Sequence, residues 1–400
     1  MTMHLRLQLA IATALFLICT TTHAQITWDG GGGNSFWGTA NNWNPNGVPT
    51  SGDNVVVDVN TNLRGSDDFI LDFLNSQGSS QFASLTIDPQ WVSPAAGKFS
   101  IRGDGVVDMF GDVTFTSNFT DNSSLTFAGN TGGPLRVRSR GNHTIFNDSA
   151  TEVTFGPGGA SNGVTFIGLG SGNQTLNFGG TGDFSLGANL AVAANLERIW
   201  TEDTYSGTVT VNGNTNSWFD PAIDIRAQGG TIDFEANHQI GDSTAVAFND
   251  GDGNGAVMDF SGVTDDIGTL AVFGDHGGTL IVDELTNLIA DDFRDRSDGD
   301  PLEILGWVEG SSSLIFTELG SPPTGSAYSG MIAEGALIND LLVNGNPAIW
   351  TQVADVNNDN IADWAIVSTP EPTSASIWAL AAVLCTGLYI ARRRRVQNRR

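Results

Sequence analysis

The residues best placed to do chemistry lie near the C-terminus, in Asp355-Val356-Asn357-Asn358-Asp359-Asn360-Ile361-Ala362-Asp363. Asp355, Asn357, Asp359 and Asp363 supply side-chain oxygens at positions 1, 3, 5 and 9, and the Ile361 carbonyl falls between the last two. Oxygen ligands at that spacing wrap a hard cation, so the loop points to Ca2+ as a cofactor. The competing reading is an ordinary Asn/Asp turn. Other candidates are less organised. Residues 249–255 are rich in Asp and Gly and read as a loop. Asp291, Asp292, Asp295, Asp298 and Asp300 interleave with Arg294 and Arg296 and read as a charged loop over 291–300. His143, His238 and His276 lack the spacing of a metal site. No nucleophile elbow, phosphate-binding loop or dinucleotide fingerprint occurs. The expectation is a protein without catalytic residues.

The elements that would hold such a loop are strands. The runs 350–354 and 364–367 flank it as the two arms of a hairpin. Upstream, short packets alternate apolar and small or polar residues: Ser84-Leu85-Thr86-Ile87, Ser124-Leu125-Thr126-Phe127, Gly163-Val164-Thr165-Phe166, Thr208-Val209-Thr210-Val211, Ser313-Leu314-Ile315-Phe316. That period belongs to strands with one buried face. Gly and Asn separate nearly every packet, and both tolerate the positive φ that sharp corners require. No amphipathic helix of usable length interrupts the chain. The reading is an all-β protein, a parallel β-solenoid over 61–285 in which each coil matches only its neighbours. At ~25 residues per coil and ~4.8 Å per rung this would be a rod of about ten coils. From residue 286 to 368 the pattern loosens, as the distal end of the solenoid or as a separate β-region. Both cysteines, Cys19 and Cys385, lie near the chain ends, so residues 25–369 are without disulfides. That segment carries ten basic and 43 acidic residues, a formal charge near −33. Such a charge repels nucleic acid and attracts cations.

Three resemblances extend this reading. The 355–363 loop resembles the calcium loop of FG-GAP-type repeats, with Asn360 where glycine is usual; Ile366 stands where EF-hand and dockerin loops need a carboxylate. Gly229-Gly230-Thr231-Ile232, Asn237-His238-Gln239-Ile240, Ile267-Gly268-Thr269-Leu270 and Gly277-Gly278-Thr279-Leu280 resemble the autotransporter-associated β-strand repeat over about 229–283. The resemblance implies a right-handed parallel β-helix. The membrane barrel of a true autotransporter is missing, so self-translocation is not implied. Residues 25–60, with Trp28-Asp29-Gly30, Phe36-Trp37, Asn41-Asn42-Trp43, Pro45 and Gly52-Asp53-Asn54-Val55, resemble the tryptophan-rich opening motif of exported bacterial β-helix proteins. Trp28, Trp37 and Trp43 are expected to cap the first coil, the alternative being an aromatic platform that stacks sugars.

The two ends read as addresses. Arg6, an apolar run over 7–19 and Thr22-His23-Ala24 form a cleavable secretory signal over 1–24. At the other end Pro370-Glu371-Pro372 precedes an uncharged stretch over 373–391, about the length that spans a bilayer, and then Arg392, Arg393, Arg394 and Arg395. Residues 369–400 thus resemble the PEP-CTERM sorting signal. The resemblance implies Sec export, transient or permanent anchoring in the inner membrane by the C-terminal helix, and sorting by an exosortase to the cell surface or extracellular matrix. The expected role is structural or adhesive, in association with exopolysaccharide and biofilm. The alternatives are a polysaccharide lyase or hydrolase on the same β-helix, and a glycan-binding adhesin.

Overall fold

The computed structural model describes residues 25–58, 68–74, 79–88, 98–118, 124–157, 163–169, 174–187, 190–192, 196–212, 224–241, 243–249, 255–273, 277–295, 301–309, 311–317, 337–353 and 363–368. They form an all-β protein built as a β-solenoid. Three parallel ladders surround one core. Ladder A stacks β1 (Gln25–Trp28), β3 (Asn54–Val57), β6 (Ser84–Ile87), β9 (Val113–Phe115), β12 (Asn142–Asn147), β15 (Gln174–Gly180), β18 (Leu196–Thr201), β20 (Asp224–Ala227), β22 (Ala245–Phe248), β24 (Thr264–Val272), β26 (Asn287–Asp295) and β28 (Ser313–Phe316). Ladder B stacks β4 (Asp68–Phe73), β7 (Lys98–Gly103), β10 (Ser124–Gly129), β13 (Val153–Phe155), β16 (Phe184–Leu186), β19 (Thr208–Val211), β21 (Thr231–Phe234), β23 (Val257–Asp259), β25 (Gly278–Ile281), β27 (Leu302–Leu305) and β29 (Leu337–Val343). Ladder C stacks β5 (Ser79–Phe82), β8 (Val106–Met109), β11 (Leu135–Ser139), β14 (Val164–Gly168) and β17 (Leu190–Val192).

The packets legible in the sequence are rungs of these ladders, and their alternation is the in-out alternation of the coil wall. In β6 Leu85 and Ile87 are buried while Ser84 and Thr86 stay partly open. Parallel register puts like on like: Leu125 on Val153, Phe127 on Phe155, Phe155 on Leu186. Backbone amides of the described strands thereby pair between rungs while the inward side chains build one continuous core.

Coil length is not uniform. In ladder A the register passes from Val55 to Leu85, Val113, Ile145 and Phe178, at 28–33 residues per coil. Farther along it passes from Leu176 to Ile199, Ile225, Val246, Leu270 and Phe293, at 21–26 residues per coil. The expected ~25 is the average of two regimes. Corners of the narrow coils are tight. Gly230 has φ 63°, and a Cβ there would stand 2.5 Å from the Gly207 carbonyl oxygen and 2.6 Å from the Tyr205 ring, so only glycine fits.

Ladders A and B run past residue 285 without a break, through β26, β27, β28 and β29. The charged-loop reading of 291–300 is corrected for 291–295, which belong to β26. Alternation explains it: Phe293 enters the core while Arg294 stays outside, where it pairs with Asp292 at 2.9 Å. Residues 296–300 lie outside the described residues.

At the N-terminal end β1 carries an antiparallel strand, β2 (Trp43–Asn44), and Phe36 makes a parallel bridge to Asp72 on the first rung of ladder B. At the other end β30 (Asn346–Val353) and β31 (Asp363–Ser368) pair antiparallel with each other, β30 with β29 and β31 with β28. The open edges of β28 and β29 are thus covered within the chain.

Candidate functional site

Trp28, Trp37 and Trp43 come together at the start of the solenoid. Trp43 lies edge-on to both others, at 4.8 and 4.7 Å between ring centroids, and Trp37 stacks on Phe73 at 5.0 Å. Each indole is at most 3% exposed, which leaves no ring face for a sugar. Asn42 fixes the segment: its Oδ1 accepts the Gly32 N–H at 2.9 Å, and its Nδ2 donates to the Asn34 and Phe36 carbonyls at 3.1 and 3.0 Å. The Trp43 indole N–H donates to the Trp37 carbonyl at 2.8 Å. Asp72 of β4 accepts from Ser35 and, at 2.7 Å, from Arg102 on the next rung, tying the segment to ladder B.

Of the candidate calcium ligands only Asp363 is described, buried at the head of β31 opposite Val353; Asp355, Asn357, Asp359 and Ile361 lie outside the described residues. The flanking runs do pair as the arms of an antiparallel hairpin. Pro370, Glu371, Pro372, Arg392, Arg393, Arg394, Arg395 and the segments 1–24 and 373–391 also lie outside the described residues, as do 250–254 and His276. Among the described residues no helix is long and apolar enough to cross a membrane, and no group of three or more His, Cys, Asp and Glu is gathered to hold a metal. His143 is partly buried, which lowers its pKa, and Asp112 at 4.0 Å opposes that shift. His238 stands exposed at φ 53°.

The structure gathers three groups that local pattern did not reveal. The first is a ridge of acids along the outside of ladder B. Asp233 and Asp259 occupy the same position on successive rungs. Burial, then repulsion from Asp259 and Glu235, pushes the Asp233 carboxyl up to about 6. Glu152 is raised too, by burial and then by Asp183 and Glu235. A carboxyl that keeps its proton up to about pH 6 can serve as a proton donor, and Asp233 stands beside a second acid, Asp259.

The second is a column on the outside of ladder A. Arg226 lies over Trp200 at 4.3 Å and over Phe273 at 4.9 Å, and Arg198 lies 5.1 Å from the Trp200 ring. Arg226 also pairs with Asp224 at 2.7 Å. Stacking a guanidinium between rings three coils apart fastens the rungs from outside.

The third is Asp265. Alternation along β24 turns it inward, into register with Leu288. It accepts the backbone N–H of Gln239 at 2.9 Å, of Ile240 at 3.2 Å and of Asp266 at 3.0 Å. Burial nonetheless pushes its pKa up to about 7, against the pull of those three donors. The carboxyl serves the two residues that follow His238, whose own N–H donates to the Thr264 carbonyl of β24 at 3.0 Å.

Comparison of the chain with family models, curated proteins and solved structures finds no match.

Proposed function

We propose that the protein is an exported, non-enzymatic scaffold of the cell surface or extracellular matrix. The observation that carries the reading is a continuous solenoid core sealed at its start by buried tryptophans and covered on β28 and β29 by the terminal hairpin. A rod finished in this way is suited to persist outside the cell and to present its polar flanks. The two addresses belong to the same proposal: removal of 1–24, retention by 373–391, and sorting through Pro370-Glu371-Pro372 and the arginines behind them by an exosortase. So do a right-handed sense of winding, Ca2+ in the 355–363 loop and association with exopolysaccharide. In the proposed mechanism, hydroxyl, amide and carboxylate groups on the coil wall hold water, cations and matrix polymer. Intact mass of the secreted protein tests it. The expected species begins near Gln25 and ends near Pro370–Pro372; retention inside the cell would overturn the reading.

A second reading, a polysaccharide hydrolase or lyase, draws on the Asp233–Asp259 pair and the raised Asp233 carboxyl. Depolymerisation of acidic or neutral glycans by the purified protein, abolished in Asp233→Asn, would put it in place of the scaffold.

A further inference from the structure

The outer face of ladder C differs from the rest of this acidic molecule. Register places its outward residues in three rows: Val106, Arg136, Thr165 and Ala191; Gln81, Asp108, Arg138 and Ile167; and Phe110, Arg140 and Leu169. Arg136, Arg138 and Arg140 alternate along β11 and its extension, so all three guanidinium groups leave the same side, about 6.6 Å apart. Asp108 is the one acid in those rows among the described residues. It is fully buried beneath Arg138, which it holds at 2.5 and 2.6 Å, and Arg140, at 3.1 Å. Arg140 also covers Phe110, itself 39% exposed, at 5.1 Å. Arg136 has no ion pair among the described residues. The face therefore carries a net charge of about +2 on a chain whose formal charge is −27, and the exposed Phe110 and half-buried Val106, Ile167 and Leu169 lie among its cations.

We propose that this face binds a single strand of acidic polysaccharide. Guanidinium groups grip carboxylate or sulfate in forked pairs, and Asp108 fixes two of the three in place before any ligand arrives. Val106, Phe110, Ile167 and Leu169 offer apolar surface to the C–H faces of sugar rings. The island is small and the surrounding charge is negative. A bilayer, a nucleic-acid duplex or a second copy of this rod would press its own negative charge against the acids on the neighbouring faces. A slender polyanion meets the island alone. Its occupant is thus selected by width as well as by sign.

Titration of purified full-length protein with polygalacturonate, with uncharged dextran as control, tests the proposal over a range of salt concentrations. Polygalacturonate binds and dextran does not. In Arg136→Gln/Arg140→Gln the affinity falls at least ~10-fold and the slope of log K against log salt drops by about 2. Arg294→Gln, on another face, leaves both unchanged. Should the double variant lose its β-sheet circular dichroism, Arg136→Gln alone, which breaks no described ion pair, is expected to cost several-fold in affinity. Equal binding by wild type and Arg136→Gln overturns the proposal. So does tighter binding of a thymidine oligonucleotide or anionic vesicles, or salt-sensitive self-association that Arg136→Gln abolishes; each assigns the face to another partner. Binding in solution does not depend on export, so its failure leaves the scaffold reading standing, and a failure of secretion leaves the polysaccharide site standing.

Discussion

The wide coils between β3 and β17 and the narrow coils between β18 and β28 solve the same packing problem with different side chains. Three described strands and 28–33 residues make a wide coil. Its middle is filled by rings in contact: Phe115 meets Phe127 at 6.0 Å, Phe127 stacks on Phe155 at 4.4 Å, Phe155 meets Phe166 and Phe184, and Phe184 reaches Tyr205. The narrow coils bury mainly Ile225, Val246, Leu270, Leu280, Leu288, Leu302 and Ile304, together with Phe248 and the ring pairs Phe234–Phe260 and Phe293–Phe316. Cross-section sets composition. A wider coil leaves a central space that only large flat side chains fill to normal density, whereas opposing aliphatic rows close a narrow one. Ladder C shows the transition. It has no described strand after Val192, and farther along, on β24 of ladder A, one inward position in register with Leu288 is filled by the Asp265 carboxyl rather than by a hydrocarbon.

The contrast can be broken at its centre. Phe155→Ala removes the ring that touches four others and is expected to cost about 4 kcal/mol, against about 3 kcal/mol for Leu270→Ala in a narrow coil. Urea denaturation of both variants checks the order; equal losses would mean that circumference does not govern the packing. Next comes the seal on the wide end. Asn42→Ala orphans the Gly32 amide and the Asn34 and Phe36 carbonyls, costing about 2 kcal/mol, and tryptophan emission shifts to the red as the indoles meet water.

The narrow coils are probed by pH through Asp265 on β24. The folded Asp265 carboxyl keeps its proton up to about pH 7, whereas the unfolded one loses it near its ordinary value of about 4. The folded state therefore holds the extra proton between these values. The stability linked to it is complete below about pH 4 and lost as pH rises through 7. Thermal melts of wild type fall over that window, and Asp265→Asn flattens the part of the fall that this group contributes. The smallest effect belongs to the outer column: Arg226→Ala, which leaves Trp200 and Phe273 without their shared cation, is expected to cost about 1 kcal/mol by the same melts.

Alternation made much of the wall legible. The packets at 84–87, 124–127, 208–211 and 313–316 are β6, β10, β19 and β28 because one apolar face per strand is all that a solenoid wall needs. Strands such as Lys98-Phe99-Ser100-Ile101-Arg102-Gly103 and Leu135-Arg136-Val137-Arg138-Ser139 obey the same rule. Charged outward residues hide it, as they did for Asp291–Asp295 within β26. Register was not legible. Arg138 meets Asp108 across 30 residues, and Asp233 meets Asp259 across 26, only because the intervening coils have the lengths they do. The acid ridge on ladder B, the Arg226 column and the inward Asp265 could not be read before the coils were wound. The tryptophans could, since three indoles within sixteen residues have few ways to leave water except into one another.

The terminal hairpin has a consequence for how many copies can be arranged together. By turning back antiparallel, β30 and β31 spend on β29 and β28 the amides and carbonyls that would have recruited the next molecule. Elongation by templating is denied to those two strands, so the particle has a length written into its own chain. Arrays of it must be laid flank to flank, with spacing governed by charge and by whatever polymer runs between them.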